Sequence, residues 1–358
     1  MKKIISSILV SLLLVTSTSF ATVMPNQNNF TVSYIDVGQA DCQLIQTPGG
    51  KNILIDAGNN DDFATIDAYL KGKSVKVLDA VIATHPHEDH IGAMDDVIKN
   101  YDVKSVYAPK ATHTTKTFED FLLAVKAKNL KINTAHKGVT ITIDPEVKIE
   151  MLSPVKDKVY EDLNDYSPVI KMKYKKNKFM FTGDAEKINE DQVLIDNKAD
   201  LSNLKVDVLK VGHHGSTSST SPAFAKALSP KYAVISVGKD NSYGHPDDII
   251  LNRLSFLGTK VYRTDLNGTI VIKSDGTNIS VSNQNNEAPP VIKPPANNTE
   301  KVSNPETTND ATKTKTVYIT KTGKKYHLDG CSYLSSSKIA ISLDDAISKG
   351  FTPCSKCI

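Results

Sequence analysis

Four potential metal ligands within six residues constrain this sequence more than any other feature. The apolar run Val81-Ile82-Ala83 is followed by residues 84–90, which read Thr-His-Pro-His-Glu-Asp-His. Imidazole and carboxylate groups suit zinc and other borderline divalent ions, and functional residues gather in loops at strand ends. The pattern therefore predicts a metal site built from four side chains: His85, His87, Asp89 and His90.

This cluster resembles the H-x-H-x-D-H motif of the metallo-β-lactamase superfamily, and two later segments agree with that resemblance. Asp184 follows an apolar strand candidate, and in the superfamily such an aspartate bridges two metal ions. His213 and His214 follow another apolar segment, and one of them is expected to complete the second metal site. The resemblance implies an α/β protein with a four-layered αββα sandwich and two divalent ions, zinc or manganese.

Further motifs are similar to the hydrolase domain of the ComEC competence-protein family. They include residues 35–41, where Ala40 replaces a glycine of the family's D-V-G-Q-G-D opening, and residues 54–58, 242–246 and 263–265. The resemblance spans about residues 30–282. It implies cleavage of phosphodiester bonds by a hydroxide held between the two ions, with nucleic acid or another phosphodiester polymer as substrate. Because the sequence lacks the family's channel segments, we expect a hydrolase detached from the channel.

One ligand position of the zinc β-lactamases has no clear counterpart in this sequence. Those enzymes place another histidine before the bridging aspartate, whereas His113 and His136 lie in no strand-end context and are predicted to be surface residues. Asp165 or Asn164 is the candidate for this position. An oxygen ligand there makes manganese as suitable as zinc and argues against β-lactam hydrolysis.

Three side chains outside the ligand motifs are assigned supporting roles. His245, flanked by Gly244 and Pro246, is either a group that contacts the phosphate or protonates the leaving group, or a structural loop histidine. Asp36 and Asp41 either orient metal-binding histidines or shape a turn. The predicted catalytic residues are Asp89, Asp184 and His245.

Apolar periodicity predicts alternating strands and helices between residues 30 and 282. The predicted strands are 30–35, 52–55, 80–83, 149–152, 169–174, 179–181, 206–209 and 232–236. The predicted helices are 62–70, 94–99, 118–128, 186–195, 222–228 and 247–256. The three adjacent strands between 149 and 181 indicate a meander, so the sheet is predicted to be mixed.

The N-terminal residues 1–21 have the pattern of a secretory signal. Lys2 and Lys3 precede an apolar run at 4–15, and Ser19-Phe20-Ala21 fits a cleavage site. An uncleaved anchor is the alternative, although the run is shorter than the roughly 20 residues that span a bilayer. We therefore expect a secreted or wall-associated protein, without membrane insertion after cleavage, whose hydrolase domain occupies residues 22–283.

The chain ends in a linker and a small Cys/His unit. Residues 284–315 are rich in Asn, Pro, Thr and Glu and predict an extended linker. Residues 316–358 are too few to fold on apolar burial alone. Their Cys/His spacing is typical of a closed tetrahedral zinc site and resembles the metal-binding domain of the Ada DNA-repair regulator, with a histidine replacing one cysteine: His327, Cys331, Cys354 and Cys357. One disulfide plus a free thiol is the alternative, and Cys42 is predicted to be a buried core thiol.

Charge bears weakly on the substrate. The net charge of +3 includes Lys2 and Lys3, so nonspecific attraction to polyanions is small. Lysines at 171, 173, 175, 176 and 178 form either a basic patch or a solvated outer face. The leading hypothesis is a secreted phosphodiesterase or nuclease. The alternatives are a phosphodiesterase acting on teichoic or choline-bearing wall polymers and a non-catalytic wall-binding or nucleic-acid-binding protein.

Overall fold

The structure is a computed structural model that describes residues 29–289 and 315–358. The predicted secretory signal and most of the predicted linker lie outside these ranges, so both stay predictions. Within the two ranges, no helix has the length and apolar character needed to cross a membrane.

Strands and helices alternate through the larger range, as the apolar periodicity predicts. The strands, in chain order, are β1 (Phe30–Tyr34), β2 (Gln43–Gln46), β3 (Asn52–Ile55), β4 (Val77–Leu78), β5 (Ala80–Ile82), β6 (Asp102–Val103), β7 (Val106–Ala108), β8 (Ile132–Thr134), β9 (Thr140–Ile141), β10 (Val147–Met151), β11 (Ile170–Tyr174), β12 (Asn177–Phe181), β13 (Val208–Lys210), β14 (Tyr232–Ile235), β15 (Lys260–Arg263), β16 (Ile270–Ser274), β17 (Ile279–Asn283), β18 (Thr316–Ile319), β19 (Lys325–His327), β20 (Ile339–Ser342) and β21 (Thr352–Pro353). The α-helices are α1 (Phe63–Gly72), α2 (Glu88–Ile91), α3 (Met94–Asn100), α4 (Lys116–Ala127), α5 (Lys187–Asp196), α6 (Pro222–Leu228), α7 (Asp248–Phe256), α8 (Thr264–Asn267) and α9 (Leu343–Ser348).

Two mixed sheets form the larger domain. Among the described residues the first has eight strands in the order β17-β16-β1-β2-β3-β5-β7-β8, and the second has seven in the order β15-β14-β13-β12-β11-β10-β9. Strands β10, β11 and β12 pair antiparallel, which is the predicted meander. By contrast, β3, β5 and β7 are parallel, as are β12 to β15. Their carboxyl ends supply the loops of the site.

The packing of side chains defines four layers. Because successive side chains of a strand point to opposite faces, Phe179 and Phe181 of β12 pack between the two sheets, whereas Met180 packs on the outer side of the second sheet. Helices α1, α3 and α4 cover the outer face of the first sheet, and α5, α6 and α7 cover that of the second. The predicted αββα sandwich is therefore confirmed. Cys42 lies buried in the core beneath α1 and α3.

The C-terminal unit has a small sheet of its own. Its strand order is β20-β18-β19-β21, and apolar residues of β18, β19 and α9 form its interior. A second small cluster surrounds its cysteines, and this cluster also contacts Ile249 and Phe256 of α7. The unit therefore packs against the helix that follows the His245 loop.

Candidate metal centre

Loops at the carboxyl ends of parallel strands form one cleft of about 510 Å³. The loop after β5 carries the histidine cluster, the loop after β12 carries Asp184, the loop after β13 carries His213 and His214, and the loop after β14 carries His245. Gly183 allows the two sheets to approach here, because a Cβ atom on it would lie 2.9 Å from the Cβ atom of Thr84. Crevices at such strand ends commonly bind ligands.

The centre of the cleft has the arrangement of a cation site. One potential ligand atom from each of four side chains lies within 4.8 Å of the others: Asp89, His90, Asp184 and His214. The Nε2 atom of His90 lies 3.3 Å from Oδ2 of Asp184, and Nε2 of His214 lies 3.2 Å from Oδ2 of Asp89. Both Nε2 atoms and Oδ1 of Asp184 are buried without a hydrogen-bond partner among the described residues. Such atoms are costly to bury alone, so the set fits a divalent ion.

His85 and His87 lie beside this group and offer a second pair of ligands. Nε2 of His85 lies 3.0 Å from Nδ1 of His87, and the ring centroids of His85 and His90 are 4.1 Å apart. Burial lowers the pKa of both His85 and His87, which favours the neutral imidazole that binds metal ions. The sequence motif therefore folds into two adjacent ligand groups.

Asp56, which the sequence analysis did not assign to the site, orients His90. Its Oδ2 atom accepts a hydrogen bond from Nδ1 of His90 at 2.8 Å and another from the Thr84 hydroxyl at 2.8 Å. Its Oδ1 atom accepts from the Thr84 amide at 2.8 Å. A carboxylate that holds one ring nitrogen directs the other toward a metal. Asp56 could have been found from its position, because it directly follows β3, the strand that neighbours β5.

The two predicted supporting aspartates have different environments. Asp36 accepts a hydrogen bond from the Gly38 amide at 3.2 Å and so shapes a turn. Asp41 is fully buried, and one of its oxygens lies 2.8 Å from Nζ of Lys210, which is also buried. Asp41 lies 3.9 Å from Nδ1 of both His90 and His214, so it lies directly behind two ligand rings. Lys210 was missed, although a lysine within an apolar strand was a usable signal.

The loop after β13 separates the roles of its two histidines. His213 and His214 both have left-handed backbone angles, with φ of 48° and 50°. His214 directs Nδ1 to the Ser236 carbonyl at 2.9 Å and Nε2 to the ligand group. His213 instead contacts Glu186 at 3.2 Å, and its Nε2 atom remains 3.9 Å from Asp184. Of the two candidates, His214 is therefore the better placed ligand.

The structure does not bring Asp165 into the ligand group. It lies with Asn164 in a 3₁₀ turn, Leu163–Tyr166, and only Asn164 lines the cleft. Successive residues of such a turn point about 120° apart, so the two side chains face different directions. Burial, and next to it the charge of Glu186, raises the pKa of Asp165 to about 6. Of the two predicted alternatives, the geometry favours Asn164 over Asp165.

His113 and His136 do not join the ligand group. His113 is half-buried, with its ring centroid 6.1 Å from that of His87, and its Nδ1 atom contacts the Thr115 hydroxyl at 2.9 Å. Nδ1 of His136, which is also half-buried, lies 2.8 Å from the Lys137 carbonyl. Neither side chain therefore supplies the further histidine ligand that the comparison of motifs sought before Asp184.

His245 lies at the edge of the cleft, close to the ligands. Its ring stacks on exposed Tyr243, with centroids 5.9 Å apart, and meets His213 edge-on at the same separation. Nδ1 of His245 lies 3.7 Å from Asp247, a partner two residues away that the sequence analysis overlooked. Burial, followed by the charge of His213, lowers the pKa of His245, which favours a neutral ring.

The C-terminal unit contains a second, closed group of ligands. One atom from each of four buried side chains lies within 4.8 Å of the others: His327, Cys331, Cys354 and Cys357. Sγ of Cys331 lies 3.4 Å from Nδ1 of His327, and the Leu328 amide donates to Sγ of Cys357 at 3.3 Å. All four cysteines in the described ranges are free thiols. The set fits a tetrahedral ion with no open position.

Known proteins share the larger domain. The profile of the Metallo-beta-lactamase superfamily matches residues 35–239. ComE operon protein 3 of Bacillus subtilis (strain 168) is 34% identical over 256 residues, 67% of this chain and 32% of its own length. Competence protein ComA of Neisseria gonorrhoeae is 29% identical over 245 residues, 68% and 32% of the two chains. The predicted resemblance to competence proteins is confirmed, and the chain spans about a third of the length of these relatives.

A solved metallo hydrolase from the archaeon Ignicoccus hospitalis aligns with a TM-score of 0.46 and 17% identity, covering 67% of this chain and 98% of its own. The profile match covers more than half of this chain, and the two sheets, their helices and the ligand loops have the arrangement that the histidine motif predicts. The chain belongs to the metallo-beta-lactamase superfamily.

Proposed function

We propose that this protein is an exported, metal-dependent phosphodiesterase that acts on nucleic acid or a related phosphodiester polymer. The observation that carries the proposal is the group of Asp89, His90, Asp184 and His214. It places buried, unpartnered nitrogen and oxygen atoms at the base of an open cleft.

Two ion positions follow from the side chains. Asp89, His90 and His214 would hold one ion, His85 and His87 would hold the other, and the carboxylate of Asp184 lies next to the first set. Divalent ions bound there would supply Lewis acidity toward phosphoryl oxygens and lower the pKa of water. Zinc or manganese suits this mixture of nitrogen and oxygen ligands.

The cleft supplies groups that suit a phosphodiester. Burial lowers the pKa of His213, but the bond to Glu186 and the charge of Asp184 outweigh it, so the net pKa is raised and favours a cationic ring. Such a ring would attract a phosphate oxygen. The lowered pKa of His245 favours a neutral ring, which would donate a hydrogen bond to the phosphate and is less suited to protonating the leaving oxygen. Gln39 and Asn59, which also line the cleft, add neutral polar side chains.

The names of the relatives support nucleic acid as the substrate class. Two curated relatives are described as an operon protein of the ComE group and a competence protein, although each is about three times as long as the region it shares with this chain. The exposed ring of Tyr243 at the mouth of the cleft offers a surface on which a base would stack.

The C-terminal group is proposed to hold one structural zinc. Three thiols and an imidazole, all buried, leave no position for a substrate, so the ion would stabilise the small unit and take no part in hydrolysis. Export is proposed from the basic, apolar and small-residue order of residues 2–21 alone. Detecting the protein in the culture medium, with residues 1–21 removed, would test that part.

Hydrolysis assays test the proposal directly. Purified protein supplied with manganese or zinc is expected to cleave bis-p-nitrophenyl phosphate and at least one of DNA and RNA. Cleavage of the small ester without either nucleic acid would point to a different phosphodiester polymer, such as one from the cell wall. Inactivity toward all three substrates with both metals would refute phosphodiester hydrolysis.

A further inference from the structure

A second cavity, of about 410 Å³, lies at the same edge of the sheets as the metal cleft. Its walls come mainly from the loops after β7, β8 and β10. Strands β7 and β8 are parallel to β5, and β10 runs in the same direction as β12, because both pair antiparallel with β11. All three loops therefore leave the sheets at the edge that carries the metal ligands.

One short turn separates this cavity from the cleft. Asn164 and Tyr166 belong to the same 3₁₀ turn, and Asn164 lines the cleft whereas Tyr166 lines the cavity. Cα atoms two residues apart are separated by at most about 7 Å. The loop after β7 also reaches both regions, since Lys110 lines the cavity and the ring centroid of His113 lies 6.1 Å from that of His87. The cleft and the cavity are therefore neighbours.

The cavity carries an excess of positive charge. The charged or titratable side chains that line it are Lys110, His136, Lys156, Asp157 and Lys158. Asp157 is the single carboxylate among the described residues of this lining, and its Oδ1 atom lies 3.5 Å from Nζ of Lys110. Both side chains are largely exposed, so this ion pair is weak and leaves the ammonium group available to an anion. Glu161 and Asp162, later in the same loop, do not line the cavity.

Two tyrosines fix the shape of the loop that carries two of these lysines. The Tyr160 hydroxyl accepts a hydrogen bond from the Val155 amide at 2.9 Å, and the Tyr166 hydroxyl accepts one from the Tyr160 amide at 3.2 Å. The Lys158 amide donates to the Val155 carbonyl at 3.2 Å, which closes a turn around Lys156. Because the loop is already ordered by these bonds, an anion that binds there need not order it.

We propose that the cavity is a subsite for a phosphodiester group of the substrate chain next to the group that is hydrolysed in the cleft. Sites for single-stranded nucleic acid combine a positively charged groove with aromatic side chains, and here Tyr166 lies beside the lysines. A small ester with one phosphate would occupy the cleft alone, so the subsite would favour polymers. The expected effect on turnover rests on the function proposed above, whereas the effect on polymer binding does not.

Salt-dependent binding tests the subsite without turnover. The probe is a labelled single-stranded oligodeoxynucleotide, whose binding is followed by fluorescence anisotropy without added metal ions. The variant combines Lys110→Gln, Lys156→Gln and Lys158→Gln. The slope of log K against log salt concentration should become less negative by about 1.5 to 2, because each phosphate contact on a single strand contributes about −0.7.

A matched control removes the same charge elsewhere. It combines Lys173→Gln, Lys176→Gln and Lys205→Gln, which replace exposed lysines near the end of the second sheet opposite the cleft. This variant should keep the slope of the parent, and both variants should keep its unfolding temperature, since exposed substitutions change stability little. Equal slopes in the two variants would overturn the subsite, because they would show that net charge alone attracts the polymer.

Competition identifies the source of the phosphodiester. Unlabelled RNA and a poly(glycerol phosphate) chain of the cell-wall type should each be tested for displacement of the labelled DNA. Displacement by either one supports recognition of the phosphodiester that the polymers share, and the stronger competitor is the better candidate for the substrate. A parent protein that binds none of the three polymers would overturn the inference.

Turnover separates this inference from the proposed function. The ratio of kcat/KM for an oligonucleotide to kcat/KM for bis-p-nitrophenyl phosphate should fall about tenfold in the variant of Lys110, Lys156 and Lys158, because the small ester has no second phosphate to bind. An unchanged ratio would contradict the subsite. A parent protein without activity toward either substrate would refute the proposed function, while the binding measurements would still decide the inference.

Discussion

The cleft and the C-terminal unit each gather four potential metal ligands within the same distance, but with different chemistry and access. The cleft group consists of imidazoles and carboxylates, and the side chain of Asp89 retains 33% of its exposure. The C-terminal group is rich in sulfur, and none of its four residues exceeds 5% exposure. An open site can bind a substrate at the ion, whereas a closed site can only stabilise the fold.

The two regions also differ in what surrounds the ligands. Behind the cleft ligands lie buried charges such as Asp56, Asp41 and Lys210, which fix the orientation of the rings. Behind the C-terminal ligands lie mainly apolar side chains and a backbone amide that donates to Cys357. Buried charges therefore fix the orientation of the potential ligands in the cleft, whereas in the C-terminal unit the ligands fix one another.

If the cleft is the catalytic region, removal of the central carboxylate should have the largest effect. Asp184→Asn should lower turnover of bis-p-nitrophenyl phosphate by more than about 100-fold, because it removes a proposed metal ligand and not merely a supporting residue. The matched control is Asp165→Asn, which changes a nearby aspartate outside the ligand group. Equal turnover in the parent and Asp184→Asn would contradict the comparison.

The buried charges of the hydrolase domain should make its stability depend on pH. Burial raises the pKa of Glu190 to about 7 in the folded protein, above its ordinary value of 4.5. Its stabilising contribution is therefore complete below about pH 4.5 and is lost as the pH rises through 7, by about 3 kcal/mol at most.

This contribution can be isolated with Glu190→Gln, which cannot ionise. Chemical unfolding of both proteins should show the variant gaining stability relative to the parent as the pH rises from about 4.5 to 8. A difference in unfolding free energy that stays constant over this range would contradict the raised pKa.

The supporting charge behind His90 should matter less than the ligand itself. Asp56→Asn should lower metal affinity or turnover about 10-fold to 100-fold, since residues that orient ligands have effects of this size. Asp36→Asn, in a turn, should change turnover by less than about twofold. Similar losses in both variants would show that the carboxylate behind His90 has no special role.

Disruption of the closed group should have the smallest effect on turnover. Cys354→Ser should abolish the sulfur-to-cobalt(II) absorption of the cobalt-loaded protein and lower the unfolding temperature of residues 316–358. It should lower turnover only several-fold, through the contact of the C-terminal unit with α7. Monitoring the two regions by hydrogen exchange would separate their unfolding. A loss of turnover as large as that in Asp184→Asn would break the distinction between the two regions.

The sequence was sufficient to locate potential metal ligands that directly follow a local apolar segment. His85 to His90, Asp184 and the His213–His214 pair each follow a strand, so a strand-end rule was sufficient to find them. The Cys/His unit was found from ligand spacing alone. The αββα fold followed from the resemblance that these motifs carry.

The remaining site residues depend on contacts that are distant in the sequence. Asp56 reaches His90 because β3 and β5 are parallel neighbours, and Lys210 meets Asp41 across the two sheets. The choice between Asn164 and Asp165 depends on the phase of one short turn. The docking of the C-terminal unit on α7 could not be predicted from the sequence. Both faces of that helix carry apolar residues, and the sequence does not show which part of the protein covers each face.

The ion pair of Asp41 and Lys210 has a consequence for the alignment of the two sheets. Asp89 and His90 follow a strand of the first sheet, whereas Asp184 and His214 follow strands of the second, so each sheet carries half of the ligand group. Asp41 lies between β1 and β2, and Lys210 lies at the end of β13. Their ion pair therefore connects the two sheets beside the ligand group. Because loss of one partner leaves a buried charge at a cost of about 3–5 kcal/mol, substitution at either position is constrained by the other. We therefore expect that a tolerated substitution at Asp41 or Lys210 requires a compensating substitution at the other position.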